Sequence, residues 1–421
     1  MENSVNNWEK VTLLFSAGAR PLKPAHRMTL GEMLLANRFP PSMFQAYEVP
    51  GDGTLKPIPI TLTLDEIPED HNVILQCMRN TDIDALRPNE LEMVHHTQNP
   101  VTAMFDFQYA DENKNPTHKV HLIDDGGMRE IVFGKISDFL ARHRVPVPLV
   151  AGISGGGDSS SLVQGVHRYV TSQNLDASQV TCFTLVMDPL WPESAADRAR
   201  SLCKEAGFKH RVLYPADIAS LLDMSDSPKQ LWAEFSDRYG SDSSHFFGTF
   251  FVNLAGRGVC QKLSGSHLLV GYNREDIMAE LLFCLMNGRR PMPFPKRRTG
   301  NVDCLMPVWD VPKNLLDACY PRYSEVNYSE RVDSTAVRRS SIYYLAHCLD
   351  ALVPQMSMSL MSGTAKLMDE INGWQELTSI PGTPLLHTGH GDDQEESELV
   401  TLLNRYFPRW QPATGQAPQE R

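Results

Sequence analysis

This chain is short of several things, and each shortage excludes a class of function. No stretch approaches the roughly 18 consecutive apolar residues of a membrane-spanning helix. Residues 1–10 are polar and lack the apolar region of a signal peptide, so a cytoplasmic protein with no membrane partner is expected. The eight cysteines include no Cys-x-x-Cys pair, which excludes a sequence-local zinc or dithiol motif. Basic residues number 39 against 51 acidic ones, a net charge of −12. That excludes a broad electrostatic footprint for nucleic acid and leaves only local basic clusters.

What is present is organised around one stretch, Leu149-Val150-Ala151-Gly152-Ile153-Ser154-Gly155-Gly156-Gly157-Asp158-Ser159-Ser160. Residues 147–153 form an apolar run short enough for a buried strand. Three contiguous glycines follow, then residues 159–170 with Leu162, Val163, Val166 and Val170 at helical spacing. A strand, a glycine loop and a helix together present backbone N–H groups and a helix N-terminus to an anion. Ser154, Ser159 and Ser160 add hydroxyls, and a phosphate is the natural guest. No Gly-Lys-Ser/Thr follows the glycines, so this is not a Walker loop. The glycines are contiguous, so it is not the dinucleotide fingerprint either. An aspartate in the first turn makes sense if Mg²⁺ lies between it and bound phosphates.

Ser154-Gly155-Gly156-Gly157-Asp158-Ser159 resembles the pyrophosphate-binding loop (PP-loop) of the N-type ATP pyrophosphatases. The resemblance implies ATP cleaved between its α- and β-phosphates and an acceptor oxygen adenylated. It implies that Ser154, Gly155, Gly156, Gly157, Asp158, Ser159 and Ser160 bind the nucleotide. The surrounding pattern agrees: strands at 180–187, 210–214 and 268–270 alternate with helices at 193–206 and 277–286, the mark of a parallel sheet. In such doubly wound sheets ligands sit at the carboxyl ends of strands, where Asp188 and Gly271 join the loop. Asp188 is placed for the ribose or adenine side.

Gly271-Tyr272-Asn273-Arg274-Glu275-Asp276 runs from a strand end into a helix. It looks like the Gly-His-x-x-Asp-Asp stretch of the tRNA 2-thiocytidine and tRNA(Ile)-lysidine synthetases. Asp276 matches the second acid, Glu275 replaces the first, and Asn273 stands near the usual histidine. Metal ligation is therefore expected of Asp158, Asp276 and Glu275, and catalysis of Asp158 and Asp276. Residues 333–354 are similar to the segment that closes the lysidine synthetase catalytic domain, which makes Arg338 a further catalytic candidate contacting phosphate or substrate. The family's Cys-x-x-Cys is missing, leaving Cys260 alone as a thiol nucleophile or a structural thiol. Arg289, Arg290, Lys296, Arg297 and Arg298 crowd one loop, either as a phosphate or RNA contact or as a solvated surface.

The expected fold is α/β: a doubly wound parallel sheet of the adenine nucleotide alpha hydrolase-like kind, over residues 146–355. Residues 1–90 read as a smaller α+β module resembling a ubiquitin-like β-grasp domain, without a terminal Gly-Gly. Residues 91–145 connect the two. Residues 356–421 read as a helical extension with a Pro/Gln-rich tail. Together these readings imply an ATP- and Mg²⁺-dependent transferase or ligase. It adenylates an amide-like oxygen of a nucleobase, in tRNA or in a small metabolite. Nitrogen or sulfur then displaces AMP. The N-terminal module would present the acceptor or a protein partner. Two alternatives stay open: an amide-forming, AMP-producing ligase on a small acid, and a non-catalytic ATP-binding switch.

Overall fold

The computed structural model describes residues 10–15, 18–39, 41–77, 91–98, 103–110, 116–239, 243–265, 267–286, 288, 290–299, 301–320, 342, 345–346, 349, 356–374, 378–379, 386–387 and 401–408. The chain divides into two compact units, residues 1–128 with 345–362 and residues 129–344 with 363–421.

The first unit opens with β1 (Val11–Phe15) and β2 (Gly18–Pro21), followed by α1 (Leu30–Ala36). Strands β3 (Phe44–Val49), β4 (Lys56–Ile58) and β5 (Asn72–Cys77) complete a five-stranded mixed sheet of order β2-β1-β5-β3-β4. β1 and β5 run parallel at its centre, and the remaining pairs are antiparallel. Thr29 and Glu32 close a capping box that starts α1. That helix buries Leu30, Met33 and Leu34 against Val11, Leu13, Val73 and Leu75 of the sheet. The alternation over residues 58–64 predicts a strand, but the strand stops at Ile58. There Thr63 N–H donates to Glu66 Oε2 at 2.8 Å, a capping box that turns the chain into one 3₁₀ turn. A smaller sheet of order β6-β8-β7 follows, from β6 (Leu91–His95), β7 (Ala103–Ala110) and β8 (Pro116–Ile123).

Helix α2 (Asp125–Arg142) begins where the run Asp124-Asp125-Gly126-Gly127 reads as a turn. Asp124 Oδ1 accepts the Gly127 N–H at 2.7 Å, so this run is a helix start with an aspartate cap.

The second unit carries the six-stranded sheet of order β11-β10-β9-β12-β14-β13. It comprises β9 (Leu149–Gly152), β10 (Val180–Leu185), β11 (Lys209–Leu213), β12 (His267–Leu269), β13 (Lys296–Thr299) and β14 (Val302–Leu305). Every pairing is parallel except β13 with β14. α3 (Gly157–Ser172) follows β9, and α4 (Glu193–Glu205) follows β10. α5 (Pro215–Leu221), α6 (Pro228–Tyr239) and α7 (Ser243–Lys262) fill the stretch between β11 and β12. α8 (Arg274–Met286) follows β12, and α9 (Lys313–Cys319) follows β14. The central strands are apolar on both faces, with Leu149, Val150, Leu268 and Leu269 all buried, as a sheet covered by helices requires.

The chain moves outward from β9 to β11 and returns to β12 on the other side of β9. The loop after β9 therefore lies at the point where winding reverses, the crevice position of open α/β sheets. Residues 401–408 tie down α6: Tyr406 Oη donates to Glu234 Oε1 at 2.6 Å, and Ser225 N–H donates to Tyr406 O at 2.9 Å.

α2 and α3 meet at Gly165. A β-carbon there would stand 2.5 Å from Ile136 Cβ. Gly165→Ala is expected to destabilise the protein by about 1–3 kcal/mol through overpacking. A lower denaturant midpoint at unchanged m-value checks it.

Candidate functional site

The loop of residues 153–156 is held in one shape by contacts at nearly every carbonyl. Thr184 Oγ1 donates to Ile153 O at 2.7 Å, and Arg198 Nε donates to Gly155 O at 3.1 Å. Gly156 O accepts from Ser160 N at 3.0 Å, Ser159 Oγ at 3.1 Å and Ser160 Oγ at 2.9 Å. Gly155 has φ +73°, and a β-carbon on it would collide with the Ala195 carbonyl of α4. Only glycine meets both demands at that position. Among the described residues, no acceptor takes the N–H of Ser154, Gly155 or Gly156. These amides and the N-terminus of α3 are backbone donors of the kind an anion takes. Ser154 Oγ lies 3.3 Å from Ser159 Oγ at its rim.

Asp158, in the first turn of α3, is where three elements converge. Lys313 Nζ, from the start of α9, lies 2.5 Å from Asp158 Oδ1 and 3.1 Å from Asp317 Oδ1. Asn273 Nδ2, from the end of the β12 loop, lies 3.4 Å from Asp158 Oδ2. Gly271 packs against Asp158, its β-carbon position 4.0 Å from Asp158 Cβ. Burial pushes the Asp158 carboxyl above its ordinary range, and Asp276 and Asp317 add to the push while Lys313 opposes it.

Asn273 and Asp276 cap α8 reciprocally: Asn273 N donates to Asp276 Oδ2, and Asp276 N to Asn273 Oδ1, both at 3.0 Å. Glu275 turns the other way. Its Oε2 accepts the Lys313 N–H at 2.8 Å, and burial pushes its carboxyl up to about 7. Arg274 fixes the same segment from the side, Nε and an Nη donating to Asp310 O at 3.1 and 2.6 Å.

The structure thus brings Ser154, Gly155, Gly156, Gly157, Asp158, Ser159, Ser160, Gly271 and Asp276 to one end of the sheet. Asp188 lies exposed just past β10 at the same end. Arg338 lies outside the described residues. Lys313, Asp317, Arg198, Thr184 and His210 are additions that motif reading misses. Lys313 had a signal, since it follows the apolar run of β14 as Pro312-Lys313, just where a helix starts.

The basic loop is not the open patch its composition suggests. Antiparallel pairing of β13 with β14 turns alternate side chains inward, so Arg297 is buried and paired with Glu280. Lys296 pairs with Asp303 at 2.8 Å, and Arg289 lies outside the described residues. Arg290 is exposed.

Cys260 is buried, its thiol 3.6 Å from His267 O, and burial pushes it up to about 12. It is a structural thiol, because a nucleophile needs the thiolate. Native protein at pH 8 is expected to leave Cys260 unlabelled by iodoacetamide, with labelling appearing only on unfolding; mass spectrometry of the peptide decides it.

No protein-family model and no curated protein matches the chain. The solved structures it is similar to include the following three. One is the U34-tRNA thiolase NcsA from Methanococcus maripaludis with its [4Fe-4S] cluster, at 14% identity and a TM-score of 0.43, over 58% of this chain and 80% of that one. Another is NMN synthetase from Francisella tularensis, at 12% and 0.33, over 62% and 99%. The third is NAD+ synthetase from Burkholderia pseudomallei, at 13% and 0.33, over 59% and 90%. Likenesses at this level fix neither substrate nor chemistry. The architecture itself is the α/β parallel sheet with a glycine loop at its switch point.

Proposed function

We propose that this protein is an ATP pyrophosphatase. It adenylates an amide-like oxygen of an acceptor nucleobase, in tRNA or a small metabolite, releases pyrophosphate, and completes the exchange when nitrogen or sulfur displaces AMP. One observation carries the reading. Among the described residues, the loop amides of Ser154, Gly155 and Gly156 have no acceptor, beside a half-buried Asp158 whose carboxyl is pushed up by burial and paired with Lys313.

In this reading the loop amides and the serine hydroxyls hold the β- and γ-phosphates. Asp158 and Asp276 would hold Mg²⁺, which would supply charge neutralisation. Glu275, the third expected ligand, would join them through one carboxylate oxygen while the other accepts the Lys313 amide and anchors α9. Lys313 balances Asp158 in the free protein and offers its ammonium to charge developing on the leaving pyrophosphate. Asp188 is assigned to the ribose or adenine side, and Arg338 to phosphate or substrate.

The N-terminal sheet is read as a β-grasp module that presents the acceptor or a protein partner. Its order β2-β1-β5-β3-β4 and its parallel central pair support that reading.

Two substitutions test the site. Asp158→Asn is expected to abolish AMP release from ATP·Mg²⁺ in the presence of acceptor, while far-ultraviolet circular dichroism stays native. Lys313→Met is expected to lower kcat by about 10²-fold or more, the scale of a lost transition-state donor. Wild-type rates in both variants would contradict the assignment. An acceptor panel of bulk tRNA, free bases and small carboxylic acids identifies the substrate class by which member elicits AMP.

A further inference from the structure

The loop's shape is imposed from outside it, by two contacts that no motif contains. Thr184 is buried on β10, and its hydroxyl has a single proton, given to Ile153 O at 2.7 Å. His210 Nε2, from β11, lies 2.9 Å from the same Thr184 oxygen. With the hydroxyl proton already spent on Ile153, this second contact requires His210 to donate from Nε2. The relay therefore runs His210 to Thr184 to Ile153 O, across neighbouring strands. On the far side of the loop, Arg198 of α4 donates Nε to Gly155 O at 3.1 Å, a charge-assisted bond.

In a trans peptide the C=O and the following N–H point in opposite directions. Fixing Ile153 O towards Thr184 turns the Ser154 N–H the other way. Fixing Gly155 O towards Arg198 does the same for the Gly156 N–H. These are amides for which the described residues provide no acceptor.

We infer that Arg198 and the His210–Thr184 pair are positioning residues, which preset the loop by holding its carbonyls outward so that its amides face the phosphates. The inference rests on the nucleotide reading for what the amides bind, but not for how the loop is held. None of the three residues touches the reacting atoms. They act by removing the reorganisation that a free glycine loop would undergo on binding.

The test compares matched pairs. Thr184→Val removes the hydroxyl at nearly constant shape, and Thr184→Ser keeps it. His210→Leu removes the donor, and His210→Gln keeps an N–H at the end of the side chain. Arg198→Met keeps the stem without the guanidinium. Hydrogen exchange is measured without nucleotide at the hydrogen-bonded amides of Ile153 and Ser160, with Leu269 of β12 as an internal control. Val, Leu and Met variants are expected to exchange about tenfold faster at the loop and unchanged at the control, as for local opening. Ser and Gln variants are expected to match wild type. ATP titration is expected to show KM raised about tenfold in the donor-less variants, more than any change in kcat.

Loop exchange and KM at wild-type values in Thr184→Val and Arg198→Met would overturn the inference. So would a His210→Gln variant as impaired as His210→Leu. If Thr184→Val does not fold, the His210 pair decides alone, since His210 is only half-buried. Failure of the wild type to bind ATP overturns the proposed function instead, and the nucleotide-free exchange comparison still decides the clamp.

Discussion

The second unit depends on one half-buried charge pair. The Asp158 carboxylate sits at the start of α3, half-buried, with Asp276 and Asp317 close enough to raise its proton affinity further. A single ammonium, Lys313, compensates it and reaches Asp317 at the same time. That pairing fixes where α9 begins relative to α3, and the Glu275 contact to the Lys313 backbone fixes α9 relative to α8. Three helices from distant parts of the chain are registered by one small charge cluster. A structure built for stability alone gains little from such an arrangement, because a well-packed apolar cluster does as well.

The loop beside this cluster is rigid for a complementary reason. Glycine at 155 is required by φ +73° and by the close approach of α4, and glycine is also the residue with most freedom to move. The chain resolves the conflict by bonding the loop carbonyls to Thr184, Arg198 and the α3 serines. Rigidity is thus supplied by neighbours, while the loop's own residues stay small enough for a phosphate to approach its backbone.

Much of this was legible in the sequence. The strand, glycine run, aspartate and serines occur in the order in which the structure uses them, because a phosphate cradle is a local object of about a dozen residues. The parallel sheet was legible for the same reason: its central strands are continuous apolar runs. What was not legible is what folding brings together across long separations. Asp158 and Lys313 are 155 residues apart, and nothing in either segment names the other. Arg297 looked exposed because its neighbours are charged, yet strand pairing turned it inward to Glu280. Glu275 stands beside Asp276 in sequence, yet one oxygen of its carboxylate reaches the α9 backbone at Lys313, a contact that neither segment announces. The turn read at residues 124–127 became a helix start because a side-chain cap outweighs two glycines.

The central claim is that ATP is split between its α- and β-phosphates. The most direct measurement is phosphorus NMR of products formed from ATP·Mg²⁺ by the full-length protein across the acceptor panel. Equal amounts of AMP and pyrophosphate, appearing with one acceptor class and lost in Asp158→Asn, are the predicted result. ADP and inorganic phosphate as products, or ATP left intact with every acceptor, would contradict the account.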